Sequence, residues 1–485
     1  MLHIFLTQKG LLFMSKILYK IFPLLDHLYI YQILEYNSWD FLKWFIKNPL
    51  KRNLQKKHKL QWSQKAKLLA LVSLTLILLD DVITSYKLNG GFELFIILLP
   101  IKFLYGPLFL ITAQILISPL EYYQKQKKLE ATKEKLSKSP NLKIVAITGS
   151  FGKTSTKDIL YTLLFKKYYT IKTPKSFNTP QGIAQTVLEM VKENTDIFIC
   201  EMGAYRKGEI KNICSLIKPD IGIITAIAPQ HLEKFGSLEN IAKAKFELAQ
   251  SLPKDGVAIL NSTYEQIKNN AVSVNAKVIF YGSEKDPFYA TSIKTKVTGT
   301  EFTMHTPQGK MEINIPLVGE HHVSNFLAAT AASLQLGLTL SDIQERARLL
   351  LPTPHRLEIR KQGSLTVIDN SYNTNPKASR ASLALLKDTL GSQKIIITPG
   401  LVELGNQSAK ENESFAKDAS RVVDEFIIVG ENAKEDLLRG LRDSRISKSS
   451  IHLVTSTQEG IALLSEIAKP NAVVLLENDL PDQYS

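Results

Sequence analysis

Residues 146–156 read A-I-T-G-S-F-G-K-T-S-T, at the end of the apolar run Leu142–Ile147. The run reads as a buried strand, Gly149 and Gly152 as a tight turn, and the stretch from Lys157 onward as a helix. Strand, glycine turn and helix N-terminus together form a cradle of backbone N–H groups at the positive end of a helix dipole, which suits an anion. Lys153 is placed to reach outer phosphates, and the Thr154 hydroxyl to hold Mg²⁺. The pattern predicts an ATP site, with Gly149, Ser150, Gly152, Lys153, Thr154 and Ser155 around the phosphates. One position departs from the usual spacing, which would put a glycine where Ile147 stands.

Around this loop lie 485 residues, enough for about three domains. The net charge is +14 and unevenly spread: residues 1–140 carry 20 Lys and Arg against 9 Asp and Glu. A basic first quarter on a near-neutral body points to a membrane surface and away from nucleic acid. Cys200 and Cys214 make no disulfide framework and no metal-ligand spacing, so a reducing compartment is expected.

Leu94–Ser118 is apolar apart from Lys102 and is long enough to cross a bilayer, although it contains Pro100 and Pro107. Leu68–Leu79 is apolar but short; it spans only by recruiting residues to about Tyr86, which takes Asp80 and Asp81 along. Lysines flank the pair: Lys51, Lys56, Lys57, Lys59, Lys65 and Lys67 before it, Lys125, Lys127 and Lys128 after it. The positive-inside rule then gives a helical hairpin with both ends in the cytoplasm. The alternative is a buried helical pair in a soluble domain. Residues 1–50 read as an interfacial or a third membrane element, and the charged, helix-prone Glu121–Pro140 as a linker.

From Asn141 apolar runs alternate with amphipathic stretches, the signature of α/β architecture. Strands are expected at Ile144–Thr148, Ile197–Cys200, Ile221–Thr225, Val257–Leu260 and Lys277–Tyr281. Residues 291–316 read as antiparallel strands, and His321–Leu336 as a helix. A second α/β unit has strands at Leu365–Asp369, Lys394–Thr398, Glu425–Val429, Ile451–Val454 and Ala472–Leu476. Glu201, His231 and Lys245 follow the phosphate loop in an order that suits metal-assisted phosphoryl transfer, Glu201 and His231 after strands and Lys245 one helix on.

Seven motifs carry a resemblance over residues 141–485. They are T-G-S-F-G-K-T-S-T (148–156), S-F-N-T-P-Q-G (176–182), E-M-G-A (201–204), H-L-E-K-F-G-S-L-E-N-I-A-K-A-K-F-E-L (231–248), G-E-H-H-V-S-N-F-L-A-A (319–329), H-R-L-E (355–358) and D-N-S-Y-N-T-N-P (369–376). In this order they resemble the Mur ligases, the ATP-dependent amide-forming enzymes of peptidoglycan synthesis, and most of all the branch that adds D-alanyl-D-alanine. The resemblance implies a central P-loop ATPase domain (141–353) and a C-terminal Rossmann-like α/β domain (354–485); the hydropathy reading sets a helical membrane region (1–126) and a linker (127–140) before them. It implies Lys153, His231 and Lys245 as catalytic, with Mg²⁺ held by Thr154, Glu201, His231 and Lys245, the last as a carbamate in several members. Asn325 would face adenine, Arg356 would reach the phosphates, and Asn370, Asn373 and Asn375 would line the nucleotide. Ser176, Asn178 and Thr179 fall in the substrate loop.

The implied reaction passes through an acyl phosphate and adds an amino acid or a D-Ala-D-Ala-like dipeptide to a UDP- or lipid-linked cell-wall precursor. Its place would be the cell membrane, with the catalytic domains in the cytoplasm. Several positions break the pattern. A membrane segment stands where the family has a soluble UDP-binding module, which raises a lipid-linked substrate, or an inactive tethered scaffold, as rival readings. Asn370 replaces the aspartate expected at the ribose, Thr179 and Ala184 replace an asparagine and a proline, and His322 replaces an asparagine. P-G-L-V-E-L-G (399–405) is altered, and L-L-E-N-D-L-P-D (475–482) stands where a lysine-bearing strand end is usual.

Overall fold

The computed structural model describes residues 24–48, 60–174, 177–229, 235–296, 298–352, 355–371, 376–402, 404, 407–442 and 444–478. They form two units that divide between Gln126 and Lys127.

The first unit holds α1 (Leu24–Ile33), α2 (Ser38–Lys47), α3 (Gln64–Lys87), α4 (Gly91–Leu104) and the start of α5 (Gly106–Ser137). Ser63 caps α3 by accepting from the Ala66 N–H at 3.1 Å. The 24 residues of α3 are apolar enough to cross a membrane, and at 1.5 Å per residue they extend about 36 Å. Asp80 and Asp81 lie inside this helix and do not end it. The buried stripe of α3 is Ala66, Leu69, Ser73, Ile77, Asp81 and Ser85, whereas Leu71, Leu74, Leu78, Leu79, Val82, Ile83 and Tyr86 are exposed. The buried stripe is thus half apolar and half polar, while large apolar side chains lie on the outside, unlike a soluble amphipathic helix with its polar outer face. Lys102 on α4 ion-pairs with Asp80, donates to Thr84 Oγ1 at 2.7 Å and lies 4.0 Å from Asp81.

The uninterrupted span expected over Leu94–Ser118 is not observed. One helix ends at Leu104 and the next begins at Gly106. The chain turns through Leu108 N–H to Tyr105 O at 2.9 Å, and Pro107 stands in the first turn of the next helix, where its lack of an N–H is harmless. Residues 1–23, with Lys51, Lys56, Lys57 and Lys59, lie outside the described residues. Helix α5 continues to Ser137, through most of the expected linker.

The second unit opens with β1 (Lys143–Thr148), α6 (Lys153–Leu164), β2 (Thr170–Lys172), α7 (Pro180–Met190), β3 (Ile197–Glu201), α8 (Glu209–Ile217), β4 (Ile221–Ile224), α9 (Leu238–Gln250), β5 (Val257–Asn261), α10 (Glu265–Asn270) and β6 (Lys277–Tyr281). The strands form a parallel sheet in the order β2-β3-β1-β4-β5-β6. Both faces are covered, so the strands are apolar throughout. Ala146, Phe198, Cys200 and Leu260 pack on one side, and Val145, Ile147, Ile199 and Ile259 on the other. With β1 between β3 and β4, the crevice beyond their carboxyl ends is where such sheets take ligands.

An antiparallel sheet follows, β7 (Tyr289–Lys296), β8 (Gly299–Thr306) and β9 (Gly309–Ile315), then α11 (Glu320–Gln335) and α12 (Leu340–Ala347). The last part comprises β10 (Glu358–Gln362), β11 (Leu365–Asn370), α13 (Pro376–Asp388), β12 (Lys394–Thr398), α14 (Ser408–Ala419), β13 (Glu425–Val429), α15 (Lys434–Leu441), β14 (Ile451–Val454), α16 (Thr457–Ile467) and β15 (Val473–Glu477). Its sheet order is β10-β11-β15-β12-β13-β14, parallel except for β10. Two edge strands, β2 and β10, escaped the sequence reading. The first has three residues, and the second reads E-I-R-K-Q, charged as an exposed edge strand is.

Candidate active site

The phosphate loop is held by its neighbours. Gly149 and Gly152 adopt φ of +151° and +82°, conformations that side chains rarely take. A Cβ on Gly149 would strike Thr225 Oγ1, and one on Gly152 would come within 2.5 Å of Asn325 Oδ1. Ser150 donates its N–H to Ala226 O at 2.8 Å and its hydroxyl to Ala228 O at 3.0 Å, which ties the loop to the exit of β4. Asn261 donates to Thr225 O at 2.9 Å and to Ser324 Oγ at 3.1 Å, which brings the start of α11 and Asn325 to the same place. Lys153 folds its ammonium back onto Gly149 O at 2.8 Å and Ser150 O at 3.3 Å. Burial pushes its pKa down to about 8; Glu201 opposes the shift and Arg356 adds to it. Arg356, from the segment leading into β10, therefore acts in the field of the loop lysine.

Glu201 ends β3 with 1% of its surface exposed. Its Oε2 accepts from Thr154 Oγ1 at 3.0 Å and from Lys157 Nζ at 3.0 Å, and its Oε1 from Asn178 Nδ2 at 3.4 Å. Burial pushes this carboxyl up, but Lys157, Lys153 and the hydrogen bonds from Lys157 and Thr154 more than offset that and hold it below the ordinary range. Thr154 and Glu201 thus converge as two hard oxygen donors beside the phosphate loop, a set that fits Mg²⁺. Lys157 went unnoticed in the sequence. The signal was there: it stands one turn after Lys153, in a polar run at the head of an otherwise apolar helix. Ser155 is buried in the same turn.

Lys245 is no surface residue of α9. Only 4% exposed, it faces inward, and its ammonium lies 6.0 Å from the Phe235 ring centroid. Burial, with a contribution from Lys153, pushes its pKa down to about 7. Thr179 caps α7 by accepting from the Gly182 N–H at 3.3 Å, a structural task for a substrate-loop candidate. His322 is buried, and burial pushes its imidazole well below the ordinary range, with His321 and Arg356 adding to the shift.

At the ends of β11 and β15, Asn370 and Glu477 are register partners. Asn370 Nδ2 donates to both Glu477 oxygens at 3.1 Å, and Ser382 donates to the same fully buried carboxylate. Two departures noted in the sequence, at position 370 and at the final strand end, therefore meet. His355, Glu358 and Asp369 also bring three ligand atoms within 4.8 Å, but Arg360 already holds Asp369 Oδ2 at 2.8 Å. Ser176, His231, Asn373 and Asn375 lie outside the described residues.

Comparison with known proteins fits this geometry. Residues 147–333 match the Mur ligase middle domain, and residues 355–477 match the Mur ligase, glutamate ligase domain. The UDP-N-acetylmuramoyl-tripeptide–D-alanyl-D-alanine ligase of Mycobacterium leprae is 30% identical over 369 residues, covering 69% of this chain and 71% of that one. The chain belongs to the Mur ligase family. The ligase of the same name from Escherichia coli K12 is 34% identical over 270 residues, 55% of this chain and 59% of its own. This Mur ligase thus spans about three-fifths of the length of several curated relatives that it matches. Among solved structures, MurF from Acinetobacter baumannii superposes with a TM-score of 0.66 at 26% identity, covering 74% of this chain and 78% of that one. MurF from Thermotoga maritima, solved with ADP, has a TM-score of 0.65 at 24% identity, covering 73% and 80%, and shows the shared fold. The architecture expected from the sequence, a P-loop α/β domain followed by a Rossmann-like one, is that of the family.

Proposed function

We propose that this Mur ligase joins an amine to a carboxylate at the expense of ATP, and adds an amino acid or a D-Ala-D-Ala-like dipeptide to a cell-wall precursor at the cytoplasmic face of a membrane. The observation that carries the reading is the convergence of Lys153, Thr154, Glu201 and the field of Arg356 on one phosphate loop. Residues 1–126 would be the anchor, 141–353 the ATP domain and 354–485 the second ligase domain.

A carboxylate is a poor electrophile until one oxygen becomes a leaving group. Its oxygen attacks the γ-phosphorus, a C–O–P link forms, and ADP leaves with the electrons of the broken P–O bond. The amine then attacks the acyl carbon, phosphate departs, and the amine gives up its proton. Lys153 and Arg356 would stabilise the transferring phosphoryl oxygens, a task for fixed positive charge in a water-poor site. The loop glycines let the backbone approach, and Asn325, Asn370, Asn373 and Asn375 would seat the nucleoside. Thr154 and Glu201, with His231 and a carbamylated Lys245 for a second ion, would hold Mg²⁺, which supplies charge neutralisation on the phosphates when bound. Asn178, tied to Glu201, would link the substrate loop with Ser176 and Thr179 to the same centre.

Support for the membrane comes from α3, a 24-residue apolar helix that exposes Leu71, Leu74, Leu78, Leu79, Val82 and Ile83 on its outer face. The same observation favours a lipid-linked precursor as the second reading, because the apolar unit precedes the P-loop domain where a UDP-binding module would stand. The test is phosphate release by the full chain in detergent, supplied with ATP, D-Ala-D-Ala or single amino acids, and a UDP-linked or lipid-linked muropeptide. Release that depends on both carboxylate and amine supports the ligase. No release with any combination, although nucleotide binds, means a scaffold.

A further inference from the structure

Glu201 is a buried carboxylate, and such a group is stable only beside a cation. Lys157 supplies that cation. Its side chain is 1% exposed, its Nζ lies 3.0 Å from Glu201 Oε2, and it reaches there from the turn of α6 that follows Lys153. Thr154 Oγ1 donates to the same oxygen at 3.0 Å. The carboxylate read above as a metal ligand is therefore already paired with an ammonium, on the same oxygen that takes the Thr154 hydroxyl. A divalent ion on these oxygens would sit a few ångströms from a second positive charge, in a site that water screens poorly. Two cations would share one carboxylate.

We propose that Lys157 is a resident countercation of the metal seat: it neutralises Glu201 while no nucleotide is bound and disfavours a free divalent ion. The ion then enters only with the negative charge of the nucleotide phosphates, so metal and nucleotide arrive together. The inference rests on the reading of Thr154 and Glu201 as metal ligands. Lys157 acts here through Glu201, as a positioning residue.

Binding of free Mn²⁺ to the full chain in detergent, without nucleotide and followed by electron paramagnetic resonance, tests this. Lys157→Met should bind Mn²⁺ at least about tenfold more tightly than wild type, because a neighbouring like charge has gone. Lys157→Arg, which keeps the charge, should stay as weak as wild type. Equal or weaker Mn²⁺ binding by Lys157→Met overturns the proposal and leaves Lys157 a structural partner of Glu201. Should Lys157→Met not fold, wild type decides: tight Mn²⁺ binding without nucleotide overturns the proposal, and weak binding that becomes tight only with ADP supports it. The underlying metal reading has its own check. Glu201→Gln should weaken the Mg²⁺-dependent part of ADP binding and leave Mg²⁺-free ADP binding intact; if it does not, the ligand assignment falls first. If it does and Lys157→Met fails to tighten Mn²⁺, only the countercation falls.

Discussion

Replacing Lys245 by methionine should stabilise the protein and abolish its ligase activity. Burial pushes this ammonium from an ordinary value near 10.5 down to about 7. Between those values the unfolded chain holds a proton that the folded chain releases, so stability rises with pH across the window from about 7 to 10.5. Below pH 7 the cost is fully present, and at about 1.4 kcal/mol per unit it approaches 5 kcal/mol as a ceiling. Methionine keeps most of the volume beside Phe235 without the charge, so even half of that ceiling is about 2 kcal/mol regained at pH 7. For a domain of 150–250 residues this raises Tm by roughly 5 °C or more, and the gain should shrink towards zero at pH 10. Thermal unfolding of wild type and Lys245→Met at pH 7 and pH 10, in CO₂-free buffer so that no carbamate replaces the cation, measures it. Ligation is followed in parallel with bicarbonate present. A variant less stable than wild type at pH 7, or a difference that ignores pH, refutes the claim that an apolar site holds this amine near neutrality. Stability gained with activity lost marks a group retained for chemistry. A half-neutral amine at pH 7 is also the form that adds CO₂, so short carboxylates should partly rescue Lys245→Ala.

Lys153→Ala should lower ligation by about 10²–10³ while the fold survives, since it removes charge from the transferring phosphoryl group; activity within a few-fold of wild type counts against the site. Cysteines placed at Lys65 and Lys127 should be labelled from the cytoplasmic side and one at Asn89 from outside, and external labelling at 127 would reverse the topology. Asn370→Asp should destabilise the protein more at pH 8 than at pH 5, because it sets a carboxylate against buried Glu477. At a separation of about 4 Å the repulsion is of order 4 kcal/mol for an effective dielectric of 20, unless one carboxyl keeps its proton. Asn370→Asp with Glu477→Lys should recover the loss by making an ion pair, and a single variant as stable as wild type at pH 8 would show that the pair is loose.

Most of the α/β architecture was legible because parallel strands covered on both faces are continuous apolar runs. Lys394–Thr398 and Glu425–Val429 each read as strands without reference to anything outside themselves. The phosphate loop was legible for a similar reason, since its strand, glycines and helix are consecutive. What escaped depends on what packs across the chain. Lys243 and Lys245 stand two residues apart in one A-K-A-K-F-E stretch, with the same composition around them. The first pairs with Glu239 on the surface at 2.5 Å, while the second is turned about 160° around the helix and buried. Lys157 was hidden in the same way: its partner Glu201 is 44 residues distant, on a different strand, and only the β1–β3 pairing of Ile147 with Glu201 brings the two together. The failure at Leu94–Ser118 is of another kind. Hydropathy averages over the segment and carries no information on where the backbone turns, which here is at Tyr105, just before Pro107 opens the next helix. Pro100 and Pro119 lack the same donor and lie inside α4 and α5, so the break at Tyr105 is set by the local chain path and not by the missing N–H alone. The polar stripe of α3 follows the same logic. Ser73, Asp81 and Ser85 recur at multiples of four, so they share one face. Sequence places them together, and only packing reveals that their face is the inner one.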